Sequence, residues 1–289
     1  MSNTAVKTPK AKKPRMKFSA FLKKYGRVLI GGAIIATVLF CTIFAPFITK
    51  YDPEAVGDVE DFKQPPSEEH WLGTDLYGRD MWARICYGGR TTLLVSVGAQ
   101  SVLIICGTLL GLLCGYYSRV EKYLMRFLEA CATIPSLLFT MLMISVFGSG
   151  IWQMIVAMSL FGIPGLARMI RNQVLSLREK EYIESEKAMG ASDLRTVIVH
   201  ILPACASYLL VRFSNGLSGM ILSMTSLSFL GVGLDPTIAN WGGLVNEGQK
   251  IMFAVPHVVL VPTAVISLTV FGYVMLGDGL RDLLDPKLK

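Results

Sequence analysis

Residues Ala130–Ala167 read ACATIPSLLFTMLMISVFGSGIWQMIVAMSLFGIPGLA, and no charged side chain interrupts them. As one helix at ~1.5 Å per residue the run would be ~57 Å long, far more than the ~30 Å hydrocarbon core of a bilayer. Gly148-Ser149-Gly150 in its middle is a turn signal, so the run reads as two membrane spans joined by a tight hairpin. It is continuous rather than alternating, which excludes the strands of a membrane barrel.

Working outward, further spans are expected at Val28–Ile48, within the charge-free stretch Thr91–Tyr117, from about Ala204 to Leu230 and from about Pro256 to Leu276. The expectation is an all-α polytopic membrane protein with six transmembrane helices. Composition agrees: 52% of the residues are hydrophobic and 17% charged, against roughly a quarter charged in soluble domains. The apolar core of Val28–Ile48 exceeds the ~7–15 residues of a signal peptide and no A-x-A site follows, so it reads as a retained anchor.

The formal net charge of +7 does not point to nucleic acid. Lys7, Lys10, Lys12, Lys13, Arg15, Lys17, Lys23, Lys24 and Arg27 form a basic tail, residues 1–27, abutting the first apolar run. That placement marks a cytoplasmic flank facing anionic lipid. Residues 49–90 carry Asp52, Glu54, Asp58, Glu60, Asp61, Glu68, Glu69, Asp75 and Asp80 and are expected outside. With six spans both termini fall in the cytoplasm, as does the loop 168–203 with Arg168, Arg171 and Arg178, and residues 277–289 form a cytoplasmic tail. The six cysteines lack C-x-x-C spacing and mostly lie in apolar runs, where they act as small hydrophobes.

Within that inner loop, Glu181–Pro203 reads EYIESEKAMGASDLRTVIVHILP, a charged, helix-favouring island between apolar runs. Its order is a helix, a break at Gly190, a second amphipathic run, then Leu202-Pro203. A glycine allows a sharp turn between helices, and a proline in the first turn of the next helix needs no N–H partner. Glu184-Ser185-Glu186, Gly190 and His200-Ile201-Leu202-Pro203 resemble the "EAA…G…I-x-L-P" loop of permease subunits in bacterial ATP-binding-cassette importers. The resemblance implies that Glu181, Glu184, Ser185, Glu186, Met189, Gly190, Ala191, Asp193, Leu202 and Pro203 dock a separate ATPase subunit, the loop serving as a coupling helix. The chain departs from the pattern where Ser185 and Glu186 stand for two alanines and His200 for an aliphatic residue. Glu186 would either weaken docking or pair with a basic residue of the ATPase groove; the alternative is an ordinary amphipathic loop.

Three more segments resemble the dipeptide/oligopeptide/nickel branch of that family. They are His70-Trp71-Leu72-Gly73-Thr74-Asp75 with Gly78-Arg79-Asp80, Ser226–Gly233 with Asn240-Trp241-Gly242, and Leu276–Pro286. For Asp75 and Arg79, four residues apart, the plain reading is a surface pair of ~0.3–0.5 kcal/mol. For Gly277 and Gly279 it is the end of the last helix.

The resemblance implies a bacterial plasma-membrane importer in which residues 91–276 form the permease core. The partners would be a homologous second permease, two ATP-binding subunits carrying ATP and Mg, and an external solute-binding protein; this chain would bind no cofactor or metal. Substrates of the branch include peptides, nickel chelates, opines and glutathione. Consistently, the chain has no G-x-x-x-x-G-K-[ST] loop and its three histidines form no metal motif.

Two other classes compete. An ion-coupled secondary transporter would show internal repeats and coupling carboxylates, whereas Glu129 is the only acid beside a membrane run. An intramembrane protease would need Ser149 and His257 together, and glycines at a hairpin explain Ser149 more simply. Arg212 lies inside the fifth span, where a charge must face protein or water. With Asn215 on the same side of the helix it either lines a translocation path or bonds a partner permease.

Overall fold

The computed structural model describes residues 18–284, with side chains from residue 25 onward. Among the described residues all extended elements are helical. They are α1 (Phe18–Ile43), α2 (Ala45–Ile48), α3 (Met81–Tyr116), α4 (Ser118–Cys131), α5 (Ser136–Phe147), α6 (Ile151–Arg178), α7 (Glu181–Ala188), α8 (Asp193–Arg195), α9 (Leu202–Phe229), α10 (Trp241–Gln249) and α11 (His257–Leu284). A π-helical stretch, Thr196–Ile201, joins α8 to α9.

Five segments are long and apolar enough to cross a membrane: Tyr25–Ile43, α3, α6, Asp193–Phe229 and α11. The sixth crossing differs from the expected straight span in the first half of the 130–167 run. α5 has 12 residues, ~18 Å of helix, too short to cross alone. It works with α4, from which it is bent by 92°. Pro135 sits at the bend, and the residue before a proline is pushed out of the helical region. The guanidinium of Arg178, at the end of α6, donates to the carbonyls of Gly115 and Tyr116 at the end of α3, so those two ends share one face of the bundle. The α4–α5 pair starts there and ends at Gly148, next to the start of α6. It therefore carries the chain from one face to the other.

The helices overrun the expected boundaries. α1 begins at Phe18 rather than 28 and breaks at Phe44, ahead of Ala45-Pro46 at the start of α2. The expected outer loop 49–90 ends at Asp80, whose side chain caps α3 by accepting from Ala83 N at 2.7 Å. Residues 168–178 belong to α6, not to a loop, and Arg168 and Arg171 face Glu129 and Glu121 of α4. Residues 277–284 continue α11 instead of forming a tail. Gly277 and Gly279 do not end that helix; they are buried, and a Cβ at Gly279 would lie 2.5 Å from Val28 Cγ2 of α1. The basic residues of 1–17 lie outside the described residues.

The tightest seam joins α3 and α6. Gly107, Gly111 and Gly115 recur every four residues on α3 and sit opposite Leu166, Ile170 and Val174. A Cβ at Gly111 would come 2.6 Å from Ile170 Cβ, so the stripe admits the facing helix at close range.

Candidate coupling loop and translocation cleft

The loop after α6 is built from one buried face and one exposed face. Ile183 on α7 is fully buried, in a cluster with Ile170, Val174, Ile201 and Cys205. The apolar packing of α7 thus reaches α6 and α9 together. Tyr116, the last residue of α3, fixes the second half: its hydroxyl donates to Asp193 Oδ1 at 2.6 Å. The ammonium of Lys187 lies 4.8 Å from the Tyr116 ring centroid.

Gly190 has φ +88°. Ala191 N–H donates to Glu186 O and Gly190 N–H to Lys187 O, the paired bonds of a Schellman cap, which places glycine at the left-handed position. The sequence reading of a break here is matched. The second half does not stop before the next span, however. Ser192 caps α8, and the chain then runs through the π-helical stretch into α9 without leaving helical geometry. Leu202 N–H reaches back five residues to Val197 O. The wider turn accommodates Pro203, whose ring would clash with a regular α-helical turn.

Of the docking candidates, Glu181, Glu184, Ser185, Met189, Gly190, Asp193 and Pro203 are exposed, while Ala191 and Leu202 are half-buried. Ser185 Oγ is turned onto its own helix, donating to Glu181 O at 2.8 Å. Glu186 is the exception, since it is buried and faces inward. Its Oε1 lies 2.9 Å from His200 Nε2 and 3.7 Å from Arg195 Nε, while Oε2 has no hydrogen-bond partner. Glu186 therefore spends its carboxylate on contacts within the chain, His200 and Arg195, rather than presenting it on the exposed face. Two of the three unusual residues of the loop, Glu186 and His200, meet each other, and the acid ties α7 to the π-helical stretch. Tyr182, Met189 and Leu194 project outward with 49%, 80% and 68% exposure, forming an apolar patch on an otherwise charged element.

At the opposite face the first family-like element is buried, not a surface pair. Asp75 Oδ1 accepts from the N–H groups of Tyr77 and Arg79, and Oδ2 from Arg79 Nε at 2.7 Å and Arg84 Nη1 at 2.5 Å. Glu247 of α10 accepts from both arginines as well. Arg84 and Glu247 escaped the sequence reading. The one signal was Arg84 lying close after the Gly78-Arg79-Asp80 element at the head of an apolar helix. Trp241 is also fully buried here, its Nε1 donating to Ile85 O. His257 packs against Gly73, and no hydrogen bond joins it to Ser149 among the described residues.

Arg212 and Asn215 come together with Gln173, Tyr208 and Arg281 around a cleft of about 620 Å³ between α6, α9 and α11. Arg212 is exposed to it; Asn215 Oδ1 is buried against Gly277 with no hydrogen-bond partner.

Comparison with known proteins gives the chain a family and named relatives. A family profile described as "Binding-protein-dependent transport system inner membrane component" matches residues 107–289. The chain is 38% identical over 270 residues to the Glutathione transport system permease protein GsiD of Pectobacterium atrosepticum, covering 93% of this chain and 89% of that protein. It is 36% identical over 285 residues to the protein of that name from Escherichia coli O157:H7 and 38% identical to that from Salmonella typhimurium, each covering 98% of this chain and 94% of the relative.

Proposed function

This chain belongs to the family of binding-protein-dependent transport system inner membrane components, and from that premise we propose how it works as a permease of an ATP-binding-cassette importer. It pairs with a second, homologous permease in a bacterial plasma membrane and receives solute from an external binding protein. The loop from Glu181 to Pro203 faces the cytoplasm, with both termini, and docks an ATPase subunit through Tyr182, Met189 and Leu194. The solute is of peptide type, with glutathione the first candidate because the relatives are named for it. It passes along the permease interface and beside Arg212 and Asn215.

The observation that supports the docking role is the two-sidedness of the loop. Its inner face is anchored to α3, α6 and α9 through Tyr116, Ile183 and Glu186, while its outer face exposes the apolar patch of Tyr182, Met189 and Leu194. Motion of a docked partner would pass into α9 without a flexible joint, because α8 continues into that helix.

The test is reconstitution of the full complex in proteoliposomes with its binding protein and radiolabelled glutathione. Uptake should require ATP, and a Met189→Cys variant should cross-link to the ATPase subunit. Uptake driven by a proton gradient without ATP, or cross-linking only to the partner permease, would overturn the assignment.

A further inference from the structure

Most of the arginines within the bundle are answered by acids or carbonyl oxygens. Arg168 and Arg171 pair with Glu129 and Glu121, and Arg178 with the carbonyls of Gly115 and Tyr116. At the outer end Arg79 and Arg84 share Asp75 and Glu247. The cleft between α6, α9 and α11 breaks this pattern. Arg212 of α9 and Arg281 of α11 both line it, and neither guanidinium has an ion-pair partner among the described residues. Asp282, beside Arg281 in sequence, is taken by Arg27 of α1. Asp278, one turn earlier, does not line the cleft.

The neutral groups there suit an anion as well. Gln173 and Asn215 bring amide groups that make no side-chain hydrogen bond within the described chain. The Tyr208 hydroxyl is held only by the thioether of Met169 at 3.3 Å, a weak acceptor that a better one displaces. Arg212 lies ten residues beyond the start of α9, ~15 Å along the helix and deeper than a headgroup layer. A cation at that depth is costly unless it meets water or an anion.

We infer that this cleft is a carboxylate subsite for the transported solute, with Arg212 and Arg281 as its cationic walls. Planar guanidinium groups match a carboxylate with two parallel hydrogen bonds, and the amides and the tyrosine hydroxyl fill its remaining acceptor positions. The inference rests on the transport reading and narrows it to solutes that carry a free carboxylate.

Equilibrium binding to the nucleotide-free full complex tests it, in nanodiscs of phosphatidylcholine alone and without the binding protein. Those lipids keep anionic headgroups out of the cleft. The probes are radiolabelled glutathione and the same tripeptide amidated at both of its carboxyl groups, which leaves it no free carboxylate. The free acid should bind about tenfold more tightly than the amide, as charge-assisted hydrogen bonds warrant. Arg212→Gln and Arg281→Gln should each erase the preference, and Arg→Lys at either position should keep part of it. Equal binding of acid and amide, a preference that survives both glutamine substitutions, or no saturable binding would each overturn the subsite. Uptake is scored separately. ATP-driven uptake without acid preference sinks the subsite alone, and acid preference without ATP-driven uptake sinks the importer mechanism alone.

Discussion

Both ends of the bundle bury a carboxylate among basic side chains, and they do it differently. At the end proposed to face outward each oxygen of Asp75 accepts two hydrogen bonds, and Glu247 closes the same two arginines from a different helix. At the end proposed to face the cytoplasm Glu186 commits one oxygen to His200 and leaves the other without a partner. A carboxylate with all its acceptor sites filled fixes the elements that supply the donors, whereas one that is half satisfied has slack. The contrast fits the proposed mechanism, in which the outer end braces α3 against α10 while the inner end moves with a docked ATPase.

The largest effect should come from breaking the outer brace. Asp75→Ala would strand Arg79 and Arg84, two buried or nearly buried cations, beside the partly exposed Glu247 alone. Removing one member of a buried charge network costs about 3–5 kcal/mol. The variant should lose its assembled peak in fluorescence-detected size exclusion after mild heating, at temperatures the parent tolerates. Unchanged heat tolerance would mean that the outer network is not a brace, and the contrast would collapse.

A smaller effect is expected from the inner pair. Glu186→Ala should cost about 1–2 kcal/mol, since one charged hydrogen bond is lost while an unsatisfied buried oxygen is also removed. His200→Ile alone would leave Glu186 with only the longer Arg195 contact. The double variant Glu186→Ala/His200→Ile restores the family-like pattern at both positions and should recover most of either single loss. A coupling of about 1 kcal/mol in that cycle is the expected reading. Strictly additive losses would show that the two departures are independent. Solute moved per ATP hydrolysed is the sharper measurement, and it should fall in the single variants even where stability barely changes.

The spans were legible because charge-free runs in this chain are long, and the Gly148–Gly150 break was legible because glycine marks turns. The helix ends were not legible. Arg84 and Arg90 at the start of α3, and Arg168, Arg171 and Arg178 at the end of α6, look like loop residues to any measure of hydropathy. They stay helical because Asp75, carbonyls of α1, acids of α4 and carbonyls of α3 meet their guanidinium groups across helices. The bend between α4 and α5 was hidden by the apolar composition of both sides. In the Glu181–Pro203 loop the break at Gly190 could be read, but the inward turn of Glu186 could not. Its signal was the joint departure of Glu186 and His200 from one pattern, which gains meaning only once a turn brings the two positions together.

The smallest expected effect is at Gly190, and it separates backbone strain from crowding. A Cβ built there meets no atom within 4 Å, so alanine costs only what a left-handed φ of +88° costs an L-residue. That is about 1 kcal/mol, and asparagine, which tolerates this region, should cost less. By contrast, a Cβ at Gly279 would sit 2.9 Å from the backbone nitrogen of Val28, where relaxation requires moving α1 itself. Gly190→Ala should therefore leave the assembled complex intact and lower ATP-coupled uptake modestly, with Gly190→Asn closer to the parent. If Gly190→Asn and Gly190→Ala were equally impaired, the loop would be reading side-chain bulk against its partner, and the slack assigned to the inner end would have to lie elsewhere.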